Sequence, residues 1–352
     1  MLAEPLQEKL QHVTDCNFTI RTALNWKRLF LPRPARLLLR IAILAGALPI
    51  IGWIGGRYWL FDLLNHFQIQ YVAALILCVT LFLILRSYRL AGIATIGLVV
   101  PILRILSSVS PHVDPPVDEV NIIRICSFNV LTSNTRYADT VDWLQRSDAD
   151  VIFLPEADEV WAEALSPLRV RYPHVIENYP GGNFGLVLFS RLPITDQQII
   201  YTGKLHLPIL RVRINGPTGD FIFYGAHPIP PIGALNAADR DTYLARIATL
   251  ASGDPLPVVV AGDFNATPWS HSMKPLFASG LSNTDDRLIP SSTWNRTQPL
   301  VAIPIDHILF RDPRMTSDPS GAFHFKVGPD LGSDHRPILA DFIWPPQEAD
   351  SE

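Results

Sequence analysis

The stretch Pro257-Val258-Val259-Val260-Ala261-Gly262-Asp263-Phe264-Asn265-Ala266-Thr267-Pro268 decides how the rest of the chain is read. Residues 258–261 form a short apolar run between Pro and Gly, the pattern of a strand buried on both faces. A carboxylate and an amide, Asp263 and Asn265, follow at its carboxyl end. Open α/β sheets keep their ligand crevices at such ends. Taken alone, the stretch reads equally well as an Asx turn, because Asp and Asn both favour turns. What separates the two readings is whether other strands end in the same way.

They do. Apolar runs at 122–128, 151–154, 185–189, 221–224 and 305–310 predict further strands, and 337–343 predicts a last one. Polar residues sit at or beside their ends: Asn129, Glu156, His227, Asp306, and Asp334 with His335. Helices are expected at about 140–145, 160–165, 237–251 and 272–278. Many strands with few helices between them favour two packed sheets with outer helices over a doubly wound sheet.

The remainder of the chain has a different character. Through Ser110 there are eleven Lys/Arg against four Asp/Glu; beyond it there are eighteen against twenty-nine. A basic, apolar portion therefore precedes an acidic one. Apolar segments at 37–54, 69–85 and 90–106 each approach the roughly 17–25 residues that cross hydrocarbon, and predict three transmembrane helices. Lys27, Arg28, Arg33, Arg36 and Arg40 crowd the amino-terminal side, and Arg86 and Arg89 lie in the second loop. The loop at 55–68 carries only Arg57, with Asp62 and His66. The bias of Lys and Arg places the amino terminus in the cytoplasm and, after an odd number of spans, the acidic domain outside a plasma (inner) membrane. The expected layout is a tail at 1–36, helices at 37–106, a Pro-rich linker at 107–119, the acidic domain at 120–345 and an acidic disordered tail at 346–352. Three cysteines without metal-like spacing suggest inert thiols.

The strand-end residues form an oxygen-rich set with imidazoles and no thiols. Such a set suits a hard cation, Mg²⁺ or Mn²⁺, and leaves imidazole free for proton transfer. A cation with His and Asn donors fits the hydrolysis of a phosphate ester. Each residue also has a plainer reading. Glu156 could be a charge at a helix amino terminus, His227 a turn histidine, Asp306 a structural acceptor, and Asp334-His335 a surface turn.

The ordered blocks Phe128-Asn129, Pro155-Glu156, Ala226-His227-Pro228, Gly262-Asp263-Phe264-Asn265, Ile305-Asp306-His307-Ile308 and Ser333-Asp334-His335-Arg336-Pro337 resemble the endonuclease/exonuclease/phosphatase family. The resemblance implies a DNase I-like, four-layer α/β/β/α sandwich with its site at one end of the paired sheets. It implies Glu156, helped by Asn129, as metal ligand, with Asp334 completing the metal or base environment. It further implies His335 as base oriented by Asp306, Asp263 positioning or activating water, and His227 and Asn265 holding the phosphoryl oxygens. Base duty between His335 and Asp263 stays open.

Three substrate-binding candidates remain. Asn183, in Gly181-Gly182-Asn183-Phe184-Gly185, reads as a pocket residue or as part of a hairpin. Arg240 reads as a phosphate ligand or a solvated helix face, and Trp294 as a pocket wall or core residue. The expected activity is that of a membrane-anchored, metal-dependent phosphoesterase acting on a phospholipid head group, a nucleic acid or a small phosphoester. No obligate protein partner is evident. An extracytoplasmic endo- or exonuclease and an inactive tethered binding module are the alternatives. Residues 228–233 are apolar and stiff, without the cations a nucleic acid backbone attracts.

Overall fold

Val258–Asp263 is a strand, and every one of its residues is buried. The computed structural model describes residues 33–109, 122–217, 219–295, 297–312 and 323–343. The expected tail at 1–32, most of the linker and the carboxyl-terminal tail lie outside these.

Among the described residues the acidic portion contains two six-stranded mixed sheets. In chain order the strands are β1 Ile122–Ser127, β2 Val151–Pro155, β3 His174–Asn178, β4 Leu186–Ser190, β5 Ile194–Thr202 and β6 Leu207–Gly216. They continue with β7 Gly219–Ala226, β8 Val258–Asp263, β9 Ser282–Asn283, β10 Asp306–Arg311, β11 Phe323–Val327 and β12 Ile338–Ile343. One sheet runs β11-β12-β1-β2-β4-β3 and the other β5-β6-β7-β8-β10-β9. At the centre of each lies a parallel pair, β1 with β2 and β7 with β8, flanked on both sides by antiparallel partners. The strands of a parallel pair point the same way, so their carboxyl ends, and the polar residues that follow them, emerge together.

The two sheets face one another across Ile125, Phe153, Leu188, Val212, Phe223, Val259, Ile308 and Ala340, all buried. Outside the first sheet, α6 (Tyr137–Ser147) and α7 (Glu159–Ala164) cover a second core that includes Leu144 and Trp161. Outside the other, α8 (Ala234–Gly253) and α9 (Lys274–Ala278) cover a third that includes Tyr243, Leu244 and Leu276. The order is helix, sheet, sheet, helix. Burial of these apolar faces is the main force that assembles the layers.

Five helices precede β1 among the described residues: α1 Arg33–Gly55, α2 Trp59–Asn65, α3 Gln68–Ile84, α4 Tyr88–Gly97 and α5 Val99–Leu106. The α1 helix buries Ala35, Ala42, Ala45, Gly46, Pro49 and Gly52, and leaves Ile43, Leu44, Trp53 and Ile54 exposed. Small residues at helix contacts with large apolar ones facing outward is a membrane-helix pattern. Arg33–Gly55 and Tyr88–Leu106 are long and apolar enough to cross a membrane. The middle segment reaches that criterion only when α2 and α3, bent by 58°, are taken as one span. The expected three helices are thus two clear candidates and one broken one.

The break has a cause. Residues 55–68, expected as a loop, contain the helix α2, which docks on the two-sheet sandwich. Asp62 on α2 is buried; its Oδ2 accepts from Arg240 Nη2 at 3.0 Å and Ser270 Oγ at 2.6 Å. Its Oδ1 accepts from the His271 N–H at 2.6 Å and Asn65 Nδ2 at 3.1 Å. His66 Nδ1 accepts from the Thr267 N–H at 3.3 Å, and Gln70 Nε2 donates to the Ala302 carbonyl at 2.8 Å. At the end of α5, Arg104 donates to the Trp269 carbonyl, and Trp269 Nε1 donates to Ser108 Oγ at 2.9 Å.

Candidate active site

The two parallel pairs deliver their polar residues to one place. Asn129 follows β1, Glu156 follows β2, His227 follows β7, and Asp263 ends β8. The backbone bends sharply to do this. Glu156 and Asn265 adopt left-handed φ values of 60° and 48°, which cost energy for residues with a side chain. Gly262 has φ 148°, and a Cβ there would lie 1.9 Å from the Ala226 carbonyl oxygen. Only glycine lets β8 run this close to the end of β7.

Asn129 Nδ2 donates to Glu156 Oε1 at 2.9 Å and to Asp263 Oδ2 at 3.1 Å, tying one sheet to the other. The Thr132 hydroxyl donates to the Glu156 carbonyl at 2.9 Å, and its N–H approaches Oε2 at 3.4 Å. Capping of α7 falls to Asp158, whose Oδ1 accepts from the Trp161 N–H at 2.9 Å. Glu156 is thereby left to the cleft.

Asp306 opens β10 directly opposite Asp263 on β8, so the antiparallel register sets two buried carboxylates side by side. His335 lies between them. Its Nδ1 is 2.9 Å from Asp306 Oδ2 and its Nε2 is 3.5 Å from Asp263 Oδ2. The Ser333 hydroxyl accepts from the His335 N–H at 3.0 Å and donates to the Asn129 carbonyl at 2.8 Å. Thr293 Oγ1 accepts from the Asp306 N–H at 3.2 Å. His227 Nε2 stands 3.7 Å from both Glu156 Oε1 and Asp263 Oδ2, and its buried Nδ1 has no hydrogen-bond partner. Asn265 Nδ2 donates to the Pro228 carbonyl at 2.9 Å.

Burial raises the Glu156 carboxyl, an effect opposed by the Asn129 hydrogen bond. Burial also pushes Asp263 up to about 7, opposed by His335 and reinforced by the charges of Asp306 and Glu156. For His335, burial disfavours the imidazolium, but Asp306 and Asp263 outweigh it and raise the ring to about 10. His227 is lowered to about 3, first by burial and then by the neighbouring His335 charge. The four rings and carboxylates thus hold opposite protonation tendencies within a few ångströms, which is common where protons are moved.

The donor set fits a divalent cation. Glu156 and Asp263 converge on one neutral amide, Asn129, an excess of negative charge that a cation would offset. Asp334 Oδ1 is buried without a hydrogen-bond partner, while its Oδ2 accepts from Trp294 Nε1 at 2.9 Å. Oxygen ligands of this kind suit hard cations. A second grouping, Asp263, Asp306 and His335, brings ligand-type atoms within 4.8 Å of one another. There the His335 nitrogen facing Asp306 is already hydrogen-bonded.

Asn183 and Trp294 line the same cleft, of about 590 Å³, as Glu156, Asp263, Asn265, Asp334 and His335. Arg240 is not brought there. It is 1% exposed, paired with Asp62 and bonded through Nη1 to the Asn265 carbonyl at 3.2 Å. The phosphate-ligand expectation for Arg240 is therefore replaced by a supporting contact behind Asn265. His307, next to Asp306 in the chain, is buried with its Nε2 2.8 Å from the Ala266 carbonyl and its ring against Phe264. Nothing local in the sequence marks Thr132 and Thr293, ordinary threonines in loops, or Ser333, a serine one residue before Asp334. The sequence also does not place Trp59, Leu63, His66 and Phe67 at the site, though they reach the cleft from the amino-terminal helices.

Carboxylates, amides and imidazoles gathered at the paired ends of two mixed sheets define a hydrolase of phosphate esters. The chain belongs to the Endonuclease/Exonuclease/phosphatase family, whose family model matches residues 126–335, more than half of the chain. Solved structures with this fold include humanized D. rerio TDP2, at 19% identity and TM-score 0.55, covering 63% of this chain and 99% of that one. Sphingomyelinase C from Streptomyces griseocarneus aligns at 18% identity and TM-score 0.52, with the same coverages. A family protein from Leptotrichia buccalis C-1013-b aligns at 16% identity and TM-score 0.51, covering 63% and 100%. At these identities the likeness is one of fold. No curated protein sequence matches the chain.

Proposed function

We propose that this protein is a membrane-anchored, divalent-metal-dependent phosphoesterase that hydrolyses its ester by direct attack of water. The observation that carries the reading is the convergence of Asn129, Glu156, Asp263, Asp306 and His335 from both sheets through contacts of 2.9–3.5 Å. Glu156 and Asp334 would hold Mg²⁺ or Mn²⁺, which when bound supplies positive charge to the phosphoryl oxygens and lowers the pKa of nearby water. Asn129, expected as a ligand, instead positions Glu156 through Nδ2 while its Oδ1 accepts from the Leu131 N–H.

The chain's own residues do the rest. Asp306, on Nδ1, fixes the ring of His335 so that Nε2 faces Asp263. These two act as a unit that takes the proton from the attacking water. His227, held neutral by burial, and Asn265 donate hydrogen bonds to the phosphoryl oxygens as charge grows on them. Asn183 and Trp294 contact the rest of the substrate at the cleft wall. A nuclease acting outside the cytoplasm would share this chemistry. It is disfavoured by the cation-free 228–233 segment. A dead binding module would not need Asp306, Asp263 and His335 in line.

Helix arrangement supports the anchor. Cys78 Sγ, late in α3, donates to the Leu38 carbonyl, early in α1, at 3.6 Å, while Asn65 reaches the Gly52 carbonyl at the other end. α1 and α3 are therefore antiparallel, and α5 ends at the catalytic domain through Arg104. Three passes with a cytoplasmic amino terminus would put the domain on the extracytoplasmic face of a plasma (inner) membrane. A reporter fused after Glu352 should be active only outside; cytoplasmic activity overturns the placement.

The activity is tested with purified full-length protein, Mg²⁺, and bis(p-nitrophenyl) phosphate beside p-nitrophenyl phosphate. At least one should be hydrolysed, and Glu156→Ala should lower the rate by about a thousand-fold or more. Hydrolysis of neither substrate, or full activity of the variant, rejects the proposal.

A further inference from the structure

The cleft has two unlike walls. One carries the charged residues described above. The other is apolar and has two sources: Pro230 and Ile232 from the loop after β7, and Trp59, Leu63 and Phe67 from α2 and its junction with α3. The family model begins at residue 126, so this second source lies outside the family domain. The α2 helix is fixed in place, because Asp62 is buried with four donors from α2 and the catalytic domain.

Apolar residues at the cleft and next to its lining segments in the chain are exposed. Ile232 is 80% exposed and Leu235 78%. Tyr58, just before α2, is exposed too, and a few residues back Trp53 and Ile54 lie exposed on α1. Exposed apolar groups on this scale mark a surface that meets a partner or a membrane. Among the described residues lining the cleft there is no Lys or Arg. A polymer with a phosphate at every step would find nothing along this wall to neutralise it.

We infer that the substrate is a lipid-borne phosphate ester, presented from the bilayer. Its phosphoryl group sits at Glu156, Asp263 and His335, and its apolar chain lies along Trp59, Leu63 and Ile232. This rests on the phosphoesterase reading and specifies its substrate. Hydrolysis forms a P–O bond to the water oxygen and breaks the P–O bond to the leaving group. The water's proton passes to the Asp263–His335 pair, and the leaving oxygen carries off the bonding electrons. The membrane helices are then part of the binding site as well as an anchor, because they supply one of its walls.

The experiment uses full-length protein with Mg²⁺ at fixed detergent and a series of alkyl p-nitrophenyl phosphates: methyl, hexyl and dodecyl. Release of p-nitrophenolate is followed for wild type, Ile232→Ser and Leu63→Ser. In wild type kcat/KM should rise by up to about four-fold for each methylene that reaches the wall, from about 0.8 kcal/mol per buried CH₂. Each variant should lower the dodecyl-to-methyl ratio by about ten-fold. Because Ile232 is exposed, its substitution leaves the fold intact even if Leu63→Ser does not. Partitioning into micelles affects all three proteins alike, so equal ratios in wild type and Ile232→Ser overturn the inference. Faster cleavage of plasmid DNA than of the dodecyl ester also overturns it. If the methyl ester is hydrolysed without any chain-length dependence, the phosphoesterase stands and the lipid substrate falls. If no ester is hydrolysed, both fall.

Discussion

Two of the buried clusters of polar side chains differ in how their charges are paired. Around α2, the Arg240 guanidinium meets two carboxylates, buried Asp62 and half-exposed Asp241, and the remaining positions on the Asp62 oxygens are filled by Ser270, His271 and Asn65. At the sheet ends, Glu156, Asp263 and Asp306 crowd together with His227 and His335 as the facing rings, and no Lys or Arg among the described residues is paired with them. A cluster in which each buried charge faces an opposite one is what holding two bodies together requires. An unbalanced one is kept at a cost in stability, and such costs concentrate where chemistry is done. The contrast separates a brace from a site although both are buried and both are hydrogen-bonded.

Matched substitutions should break the two clusters in opposite ways. Asp306→Asn removes a charge from the crowded cluster and replaces one of the two carboxylate oxygens facing His335 Nδ1 with an NH₂ donor. Turnover should fall about 10²–10⁴-fold while the unfolding temperature stays the same or rises. Asp62→Ala takes from Arg240 its buried partner, leaving only half-exposed Asp241, and strips the acceptor from Ser270 and the His271 N–H, which should cost about 1–3 kcal/mol of stability. Thermal unfolding of both proteins in one detergent, beside initial rates, checks the pair. If Asp62→Ala left stability unchanged, or Asp306→Asn destabilised the fold as strongly, the distinction between brace and site would fail.

A smaller effect follows from pH. His227 in the folded protein is held down to about 3, whereas an unfolded histidine ionises near 6.5. Between those values the unfolded chain binds the extra proton. This contribution is therefore fully present above about pH 6.5 and is lost as pH falls through that window. His227→Gln should flatten the acid limb of a plot of unfolding temperature against pH, measured in metal-free buffer. An unchanged slope would mean that His227 is not held neutral.

The site was more legible in the sequence than the brace, for a physical reason. Asn129, Glu156, His227 and Asp263 each follow an apolar run that must be a buried strand, so topology alone brings them together. Asp62 and Arg240 are 178 residues apart and belong to different layers, and nothing local to either predicts the pairing. A signal did exist: Asp62, Asn65 and His66 stand among apolar segments, where polar residues are expensive and need partners. The central strands were readable for the same reason as the site. The edge strands β3, β5 and β11 expose one side and mix polar with apolar residues, so their sequences do not stand out from loops. β6 was also passed over, although its first four residues are apolar and buried.

The smallest expected effect concerns the edge of the site. Trp294 bonds through Nε1 to Asp334 Oδ2 at 2.9 Å, and its ring lies 6.5 Å from that of His335. Trp294→Phe keeps an aromatic ring but removes the donor. If Asp334 serves the cation, losing the group that orients it should raise the Mg²⁺ concentration for half-maximal activity by about ten-fold, the low end for a group that supports a metal ligand. Maximal turnover at saturating Mg²⁺ should change much less, because His335 keeps its contacts with Asp306 and Asp263. A Mg²⁺ titration of both proteins on one substrate reads the two numbers separately. An unchanged Mg²⁺ requirement with reduced turnover would make Trp294 a packing partner of His335 and remove the support for Asp334 as a ligand.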